Sequence, residues 1–498
     1  MDAVTNIPLF TIVLSLFSGV LCTMLPARAA RRYTVVWECA LIALTGAVLL
    51  YTFETGEPFT YVMGEFPAPW GNEIRAGVLE AMMAFLFACV MLCSVLGGMH
   101  FIQYDIDESK IHLYYALLNL MTASLMAMTW TNDLFTGYVF LEILTLTSCG
   151  ILIVREIGRT TLAAVRYMIL NLLGSGLFLL GVVLLYDITG NLLMVPMQEE
   201  IARLAQDPAT MRSLTLSTGI LTVGLAIKSG LFPFHYWMPD TYGRATPTSG
   251  AVLSSMVSKC YIFLLIKIFY RVIGADVFAR MPVRNILFVL GLLAMVFGSV
   301  SALRAANINR MVAFSSAAQI GYIFVGIGIG GTAGYTAAIF QIFAHAVTKS
   351  MLFLTTPRLA AVSGGSLRFR DLQGAGMRDK SAGMYFSIGA MSMLGIPVFA
   401  GFVSKLLLGA AAVTSGSMAK MVLVMLAIAL SSMLNALYFI RTLIRLYGES
   451  DRAKEAGPVR HGAAYHLPML FLAAGNLVLG LSSAPVAALI RKGLSMLG

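Results

Sequence analysis

The chain has 498 residues, of which 58% are hydrophobic and only 12% are charged, and its formal net charge is +10. Soluble domains carry about 25% charged residues, so this composition argues against a soluble protein. The apolar runs reach about 18 residues or more, which lets a helix cross about 30 Å of hydrocarbon. They lack the alternation of a membrane β-barrel. We therefore predict an all-α polytopic membrane protein with a single transmembrane domain, 1–498.

Fourteen apolar runs are long enough to be membrane spans. In chain order, spans 1 to 14 are 8–26, 34–52, 78–100, 112–130, 133–154, 162–186, 214–234, 247–271, 284–302, 308–329, 333–357, 382–410, 418–444 and 465–490. Arg and Lys cluster in the loops after spans 1, 5, 9, 11 and 13, the last of which contains Arg452, Lys454 and Arg460. The loops on the opposite side have few bases and hold Glu54, Glu57, Glu65, Glu73, Glu199, Glu200 and Asp207.

This charge alternation sets the predicted orientation. Basic loops remain in the cytoplasm, so we predict a cell (inner) membrane protein with both termini on the outer side. The positive net charge follows from the same bias, and we predict no nucleic-acid partner. Between the spans, 187–213 should contain a short amphipathic surface helix, and the glycine-rich segment 326–335 should be a tight turn. Lys267 and Arg271, near the end of span 8, are expected to be interface anchors.

Ionisable residues occur inside several spans, where a charge costs about 3 kcal/mol on insertion scales. They are Glu142, Lys228, Lys259, His345, Lys349 and Lys405. Their number and spread favour a polar path for ions or protons. Burial disfavours the charged form of lysine, so a neutral amine can form near physiological pH. The alternatives are a structural ion pair for Glu142 with Lys228, a snorkelling lysine at 259 and a packed core histidine at 345.

Two spans contain helix breakers close to such a lysine. Gly230 and Pro233 interrupt span 7, and Gly395, Pro397 and Gly401 interrupt span 12. Interrupted helices at matching positions in two halves are typical of a transport site. The five-span separation predicts two inverted five-helix repeats, formed by helices 4–8 and 9–13. The resulting divisions are 1–111 for the N-terminal helices, 112–271 for the first repeat, 284–447 for the second repeat and 465–490 for the last helix.

Known cofactor and metal signatures are missing from the sequence. The six cysteines lie in or beside apolar helices, with no Cys-x-x-Cys or Cys/His ligand set. No phosphate-binding loop and no iron–sulfur, haem or flavin ligands are visible. We predict neither cofactor nor metal, and any redox catalysis would belong to other subunits of a redox-driven translocase.

Five segments together resemble the proton-conducting antiporter-like subunits. They are NDLFTGYVFLEI, AIKSGLFPFHYWMPD, NRMVAFSSAAQIGY, HAVTKSMLFL and GIPVFAGFVSKLLL, in the family's order between about 105 and 445. This superfamily contains respiratory complex I, membrane-bound hydrogenases and the Mrp cation/proton antiporters. The resemblance implies a fourteen-helix fold with two inverted repeats and broken helices 7 and 12.

The resemblance also implies roles for individual residues. It implies a variable pair between Glu142 and Lys228, a lysine at the membrane centre in Lys259, and a terminal residue in Lys405. His345 and Lys349 match the connection in helix 11. Proton uptake from the cytoplasm is expected near His235 and Asp240, with Tyr242 standing where many members have histidine.

Three functions are compatible with the sequence. The first is a proton-translocating subunit of an Mrp-type Na+/H+ antiporter, most similar to its D subunit. The second is a proton-pumping subunit of a redox complex of the complex I or hydrogenase type. The third is a stand-alone secondary transporter, which the dispersed charges disfavour. The first two imply other membrane subunits as partners, with protons and possibly Na+ as the transported ions.

Overall fold

The computed structural model describes residues 3–66, 71–449 and 461–497, and most of these are helical. Thirteen helices in the described residues are long and apolar enough to cross a membrane. They are Val4–Met24, Ala27–Thr55, Val78–Asp105, Glu108–Trp130, Leu134–Ile153, Gly158–Thr189, Pro208–Tyr242, Pro247–Arg271, Val283–Leu303, Ile308–Ile329, Gly331–Ala361, Met418–Tyr447 and Ala463–Leu481. These match spans 1–11, 13 and 14, and the prediction of an all-α polytopic membrane protein is confirmed.

Span 12 consists of two half-helices. Lys380–Leu394 and Ala400–Thr414 have 15 residues each. Each is about 22 Å long, too short to cross about 30 Å of hydrocarbon alone. Together they supply the fourteenth crossing, with the predicted interruption between them.

The last span is shorter than predicted. It ends at Leu481, not at 490, and a second helix, Ser483–Leu497, follows. Pro485 has no N–H to donate to the carbonyl of residue 481, so the first helix cannot continue through it. The second helix packs against the beginning of span 3, where Gly493 approaches Leu79.

A two-stranded hairpin between spans 2 and 3 was not predicted. Strand β1, Phe59–Val62, pairs antiparallel with β2, Glu73–Ala76. Isolated bridges join Ile74 to Thr131 and Asp133 to Leu193, so several loops meet around the hairpin. We call this side of the protein the hairpin face. The predicted surface helix is present at Met194–Leu204 and begins on this face.

The opposite side, here called the basic face, gathers the arginine-rich loops. Arg155 donates to the carbonyl of Arg244 (2.7 Å), and a bridge joins Asn307 to Arg368. The predicted basic residues at 452, 454 and 460 lie outside the described residues. Arg310 also pairs with Asp240, so the loops after spans 5, 7, 9 and 11 share one side, as the fourteen-span arrangement requires.

The two helix breaks have the same backbone geometry. In span 7 the first half, Pro208–Ser229, ends at Gly230 (φ 75°), and in span 12 the first half ends at Gly395 (φ 86°). In each break the glycine N–H bonds the carbonyl three residues back, and the next N–H bonds the carbonyl five residues back. This is the Schellman arrangement, which favours glycine because φ is positive. Its recurrence five spans apart agrees with the predicted repeats.

Spans 8 and 11 form the centre of the bundle. Their most apolar 18-residue windows are completely buried, whereas those of spans 1, 2, 6, 13 and 14 are less than half buried. Span 8 is irregular at its middle, because Leu253–Val257 is a π-helical segment before Ser258–Arg271. Such segments are frequent at functional sites.

Candidate functional site

Lys228 is fully buried in the last turn before the break in span 7. Its Nζ donates to Thr145 Oγ1 of span 5 (2.7 Å) and lies 5.3 Å from the centre of the Tyr261 ring of span 8. The Thr145 and Tyr261 hydroxyls are 3.3 Å apart. The ammonium group of span 7 is thus held by a neutral hydroxyl of span 5 and an aromatic ring of span 8.

Glu142 lies one helical turn before Thr145 and is partly exposed. Its charge lies within electrostatic range of Lys228. No salt bridge within 4.0 Å joins the two among the described residues, and Glu142 Oε1 is buried without a hydrogen-bond partner there. The structure brings the predicted pair near each other but leaves the ion pair open.

Lys259 follows the π-helical segment of span 8 and is fully buried. Its Nζ donates to the backbone carbonyl of Ser254. The side chain of Ser254 reaches span 10, where its Oγ lies 2.9 Å from Ser316 Oγ. Ser316 in turn donates to the Val312 carbonyl (3.2 Å).

Lys349 of span 11 reaches the same part of span 10. Its Nζ donates to the Val312 carbonyl (2.8 Å) and to the Ser315 hydroxyl. Lys259 and Lys349 are therefore linked through Ser254, Ser316 and the shared Val312 carbonyl. Sequence distance hides this connection, because Val312 lies 37 residues before Lys349.

His345 interacts electrostatically with both of these lysines. It is 1% exposed and within interaction range of both Lys259 and Lys349. Neither ring nitrogen has a hydrogen-bond partner among the described residues. This differs from a packed core histidine, which would normally be hydrogen-bonded.

Lys405 is partly exposed and folds back onto the break in span 12. Its Nζ donates to the carbonyls of Met393 (3.1 Å) and Leu394 (2.8 Å). Gly395 is favoured by its positive φ, and a Cβ there would lie 3.0 Å from this nitrogen, so the lysine would have to shift. The break supplies the oxygens that hold the lysine.

Span 13 contributes two site residues that the sequence analysis missed. The Tyr438 hydroxyl donates to Asn435 Oδ1 (2.6 Å), and Asn435 Nδ2 lies 3.5 Å from the Met393 carbonyl that Lys405 also contacts. Tyr438 also lies beside Ser315, the partner of Lys349. In the sequence, the only sign of these site residues is two polar side chains one turn apart in an apolar span. They were not selected because they carry no charge inside the span.

The two residues predicted for proton uptake have different surroundings. Asp240 is on the basic face, within 3.7 Å of Arg166, 3.2 Å of Arg244 and 3.4 Å of Arg310. His235 is 2% exposed and stacks on Phe232, and neither of its ring nitrogens has a partner in the described chain.

Tyr242 connects this region to the centre. Its hydroxyl lies 3.1 Å from Ser258 Oγ, the residue immediately before Lys259. Asp240 therefore sits in a cationic cluster at the surface, whereas Tyr242 reaches the neighbourhood of the central lysine.

A second polar network lies under the hairpin face, and it corrects one prediction. Lys267 is fully buried and donates to the carbonyls of Thr129 (2.9 Å) and Thr131 (2.5 Å). Arg271 is also buried and donates to Asn132 Oδ1 (3.1 Å) and to the Leu497 carbonyl (3.1 Å). The expectation that both are interface anchors is wrong, because the hairpin-face loops and the C-terminal helix cover them.

The described residues contain no cluster of three or more His, Cys, Asp or Glu side chains that could hold a metal ion. The site therefore consists of lysines, a histidine and a glutamate, joined by hydroxyl and carbonyl oxygens at two broken helices and one π-helical segment. These features, in a fourteen-span bundle, define an antiporter-like membrane subunit.

The chain belongs to the NADH:quinone oxidoreductase/Mrp antiporter transmembrane family, which it matches over residues 131–431. It is 30% identical to NADH-quinone oxidoreductase subunit N of Desulforudis audaxviator, over 96% of both chains. It is 26% identical to the D subunit of the Na(+)/H(+) antiporter of Alkalihalophilus pseudofirmus, over 85% of this chain and 83% of that relative.

Solved structures give the same fold. A chain of the Mrp complex from Dietzia sp. DQ12-45-1b superposes with a TM-score of 0.87 at 23% identity, covering 100% of this chain and 98% of that one. These relatives are subunits of multisubunit membrane complexes. The expectation of membrane subunits as partners is thereby confirmed, and the relatives include both the antiporter and the redox type.

Proposed function

We propose that this subunit moves protons through the membrane along Glu142, Lys228, Lys259, His345 with Lys349, and Lys405. One observation supports this most directly: each of the four lysines donates to hydroxyl or carbonyl oxygens and none forms a salt bridge with a carboxylate in the described chain. A lysine held by neutral oxygens can release and regain a proton, whereas a closed ion pair keeps it charged.

Glu142 would control the first lysine. Its carboxylate is within electrostatic range of Lys228 but not bonded to it. A small approach would close the pair and hold the proton, and a retreat would free it. Lys228 meanwhile keeps its bond to Thr145.

The order of the remaining groups follows the contacts. Span 10 oxygens join Lys259 to Lys349, and Ser315, Tyr438, Asn435 and the Met393 carbonyl lead from Lys349 to Lys405. We assign Lys405 as the exchange point toward the outside, since it is the last lysine of the series and is partly exposed.

For orientation, we assign the basic face to the cytoplasm and both termini to the outer side, because basic loops are retained inside. Uptake would begin on the basic face near Asp240 and His235. The division into N-terminal helices, two inverted repeats and a last helix is part of this proposal, and the matching breaks at Gly230 and Gly395 support it.

The finer assignment is to an Mrp-type Na+/H+ antiporter, in the position of its D subunit. The 26% identity to the D subunit of a Na(+)/H(+) antiporter, over 85% of this chain, supports it. The second candidate is a proton-pumping subunit of a redox complex, which the 30% identical subunit N relative favours.

Purification of the affinity-tagged chain from its own membranes is expected to separate these two assignments. For the antiporter, only small membrane subunits should copurify, and added Na+ should dissipate a pH gradient in reconstituted vesicles. Copurifying iron–sulfur subunits, with proton movement that requires an electron donor, would establish the redox type. Transport by the isolated chain without any partner would contradict both.

Tyr438→Phe tests the link between Lys349 and Lys405. Removal of the hydroxyl interrupts the contact from Ser315 to Asn435 without changing packing volume. We expect proton translocation, measured as a pH change in vesicles, to fall by about tenfold or more. Tyr385→Phe is the matched control, because the Tyr385 hydroxyl lies beside His466, in span 14. Equal rates in the two variants would remove span 13 from the pathway.

A further inference from the structure

Glu38 is a buried carboxyl that belongs to neither the lysine series nor the network under the hairpin face. It is the twelfth residue of the helix Ala27–Thr55, about 17 Å from its beginning. Its side chain is 0% exposed. A carboxyl at this depth is expensive and needs a partner or a function.

Its immediate surroundings contain no counter-charge. Thr122 of span 4 donates its hydroxyl to Glu38 Oε1 (2.8 Å), but Oε2 has no hydrogen-bond partner among the described residues. No lysine, arginine or histidine there forms a salt bridge with it. Glu80, the buried carboxyl of span 3, differs because Arg75 pairs with it at 2.6 Å.

A second unpartnered oxygen lies on the same two helices, one turn toward the basic face. Asn119 of span 4 is 0% exposed and donates its Nδ2 to Thr34 Oγ1 (2.9 Å) and Cys22 Sγ (3.2 Å). Its Oδ1 has no partner in the described chain. Thr34 and Glu38 are four residues apart on span 2, and Asn119 and Thr122 are three apart on span 4, so each pair shares a helix face.

The oxygens of this cluster are those that hard cations prefer, namely a carboxylate, an amide oxygen and hydroxyls. A single carboxylate matches a single positive charge, whereas a divalent ion would leave an uncompensated charge at membrane depth. A proton or a small alkali ion on Glu38 Oε2 would satisfy that oxygen, and Asn119 Oδ1, on the adjacent turn, is the second unpartnered oxygen available as a ligand. A structural role in helix packing would require only a neutral polar side chain at 38.

A cavity lies one helical turn from the cluster, toward the basic face. This cavity of about 270 Å³ is lined by Arg31 and Tyr115, which are each one helical turn from Thr34 and Asn119. Glu108 lines the same cavity and offsets part of its positive charge. Other titratable groups on the packed helices are Cys22 in span 1, Glu80, Cys89, Cys93, His100, Tyr104 and Asp105 in span 3, and His112 and Tyr114 in span 4.

We propose that Glu38 and Asn119, with the Thr34 and Thr122 hydroxyls, form a monovalent-cation site in which Na+ and a proton compete for the Glu38 carboxylate. The site precedes the part of the chain that matches the family, residues 131–431. The site also lies outside the lysine series, so an experiment can support or refute it independently of the proposed proton path.

The test is carbodiimide labelling of membranes that contain the intact assembly, because this reagent modifies protonated carboxyls in apolar surroundings. Peptide mass spectrometry should find the label on Glu38 and not on the paired Glu80. Na+ should suppress labelling of Glu38, and choline at the same concentration should not. Absence of label, suppression by choline, or indifference to Na+ would each overturn the proposal.

Two variants sharpen the result. Asn119→Leu removes one oxygen and should raise the Na+ concentration for half-protection by about tenfold or more, while labelling without Na+ persists. Thr45→Val is the matched control, since Thr45 is buried on the same helix and bonds only to that helix's carbonyls. Unchanged Na+ protection in Asn119→Leu would overturn the assigned ligand set.

Discussion

Replacement of Lys228 with alanine is expected to reduce proton translocation by about a hundredfold or more, because its amine is the group that bonds to Thr145 of span 5 and lies over Tyr261 of span 8. Glu142→Ala should reduce translocation to a similar extent, since among the described residues Glu142 is the charged group within electrostatic range of Lys228. The measurement is the rate of pH change in vesicles, normalised to the amount of assembled protein.

The control for this prediction is Ser217→Ala. Ser217 lies on the same half-helix as Lys228, is buried, and donates only to the Ser213 carbonyl. It should leave the rate unchanged. Normal translocation, or normal cation-dependent growth, in either the Lys228 or the Glu142 variant would refute the role of this pair.

Lys259→Arg is expected to be almost as inactive as Lys259→Ala, although arginine keeps the positive charge. A relay must release its proton, and arginine remains protonated at all accessible pH values. A fixed electrostatic role would instead be preserved by arginine. The same vesicle assay distinguishes these outcomes, and an active Lys259→Arg protein would show that the central lysine does not exchange protons.

Lys267→Arg provides the comparison within the same span. Lys267 is also fully buried, but it donates to two loop carbonyls under the hairpin face, which a guanidinium can also do. We expect this variant to retain translocation once assembled. If both arginine variants were inactive, steric crowding rather than proton exchange would explain the loss at 259.

Much of the fold could be predicted because its signals are local. A run of apolar residues specifies a span wherever it packs, and a charge inside such a run is visible without a structure. The breaks at Gly230 and Gly395 were equally visible, since glycine and proline act on the backbone of their own helix. Four-residue strands are too short for a periodic signal, which is why the hairpin of Phe59–Val62 and Glu73–Ala76 was missed.

The polar links between spans could not be predicted, because they depend on which helix faces meet. Lys349 bonds to oxygens of span 10, and Asn435 approaches a carbonyl freed by the break in span 12. Asn435 and Tyr438 carry no charge that would distinguish them within span 13. Glu38 was not predicted as a site residue, although it is a charge inside the apolar span 34–52.

The sequence by itself determined the membrane class, the number of crossings, the two broken helices and the ionisable residues within them. Each of these depends on the free energy of transferring a short segment from water to hydrocarbon, which is a property of that segment alone. Only the tertiary structure decided that Lys228 bonds to Thr145 while Glu142 stays apart, and that Lys267 is buried while Lys405 is partly exposed. Those outcomes depend on side-chain packing between helices distant in sequence, which hydropathy does not encode.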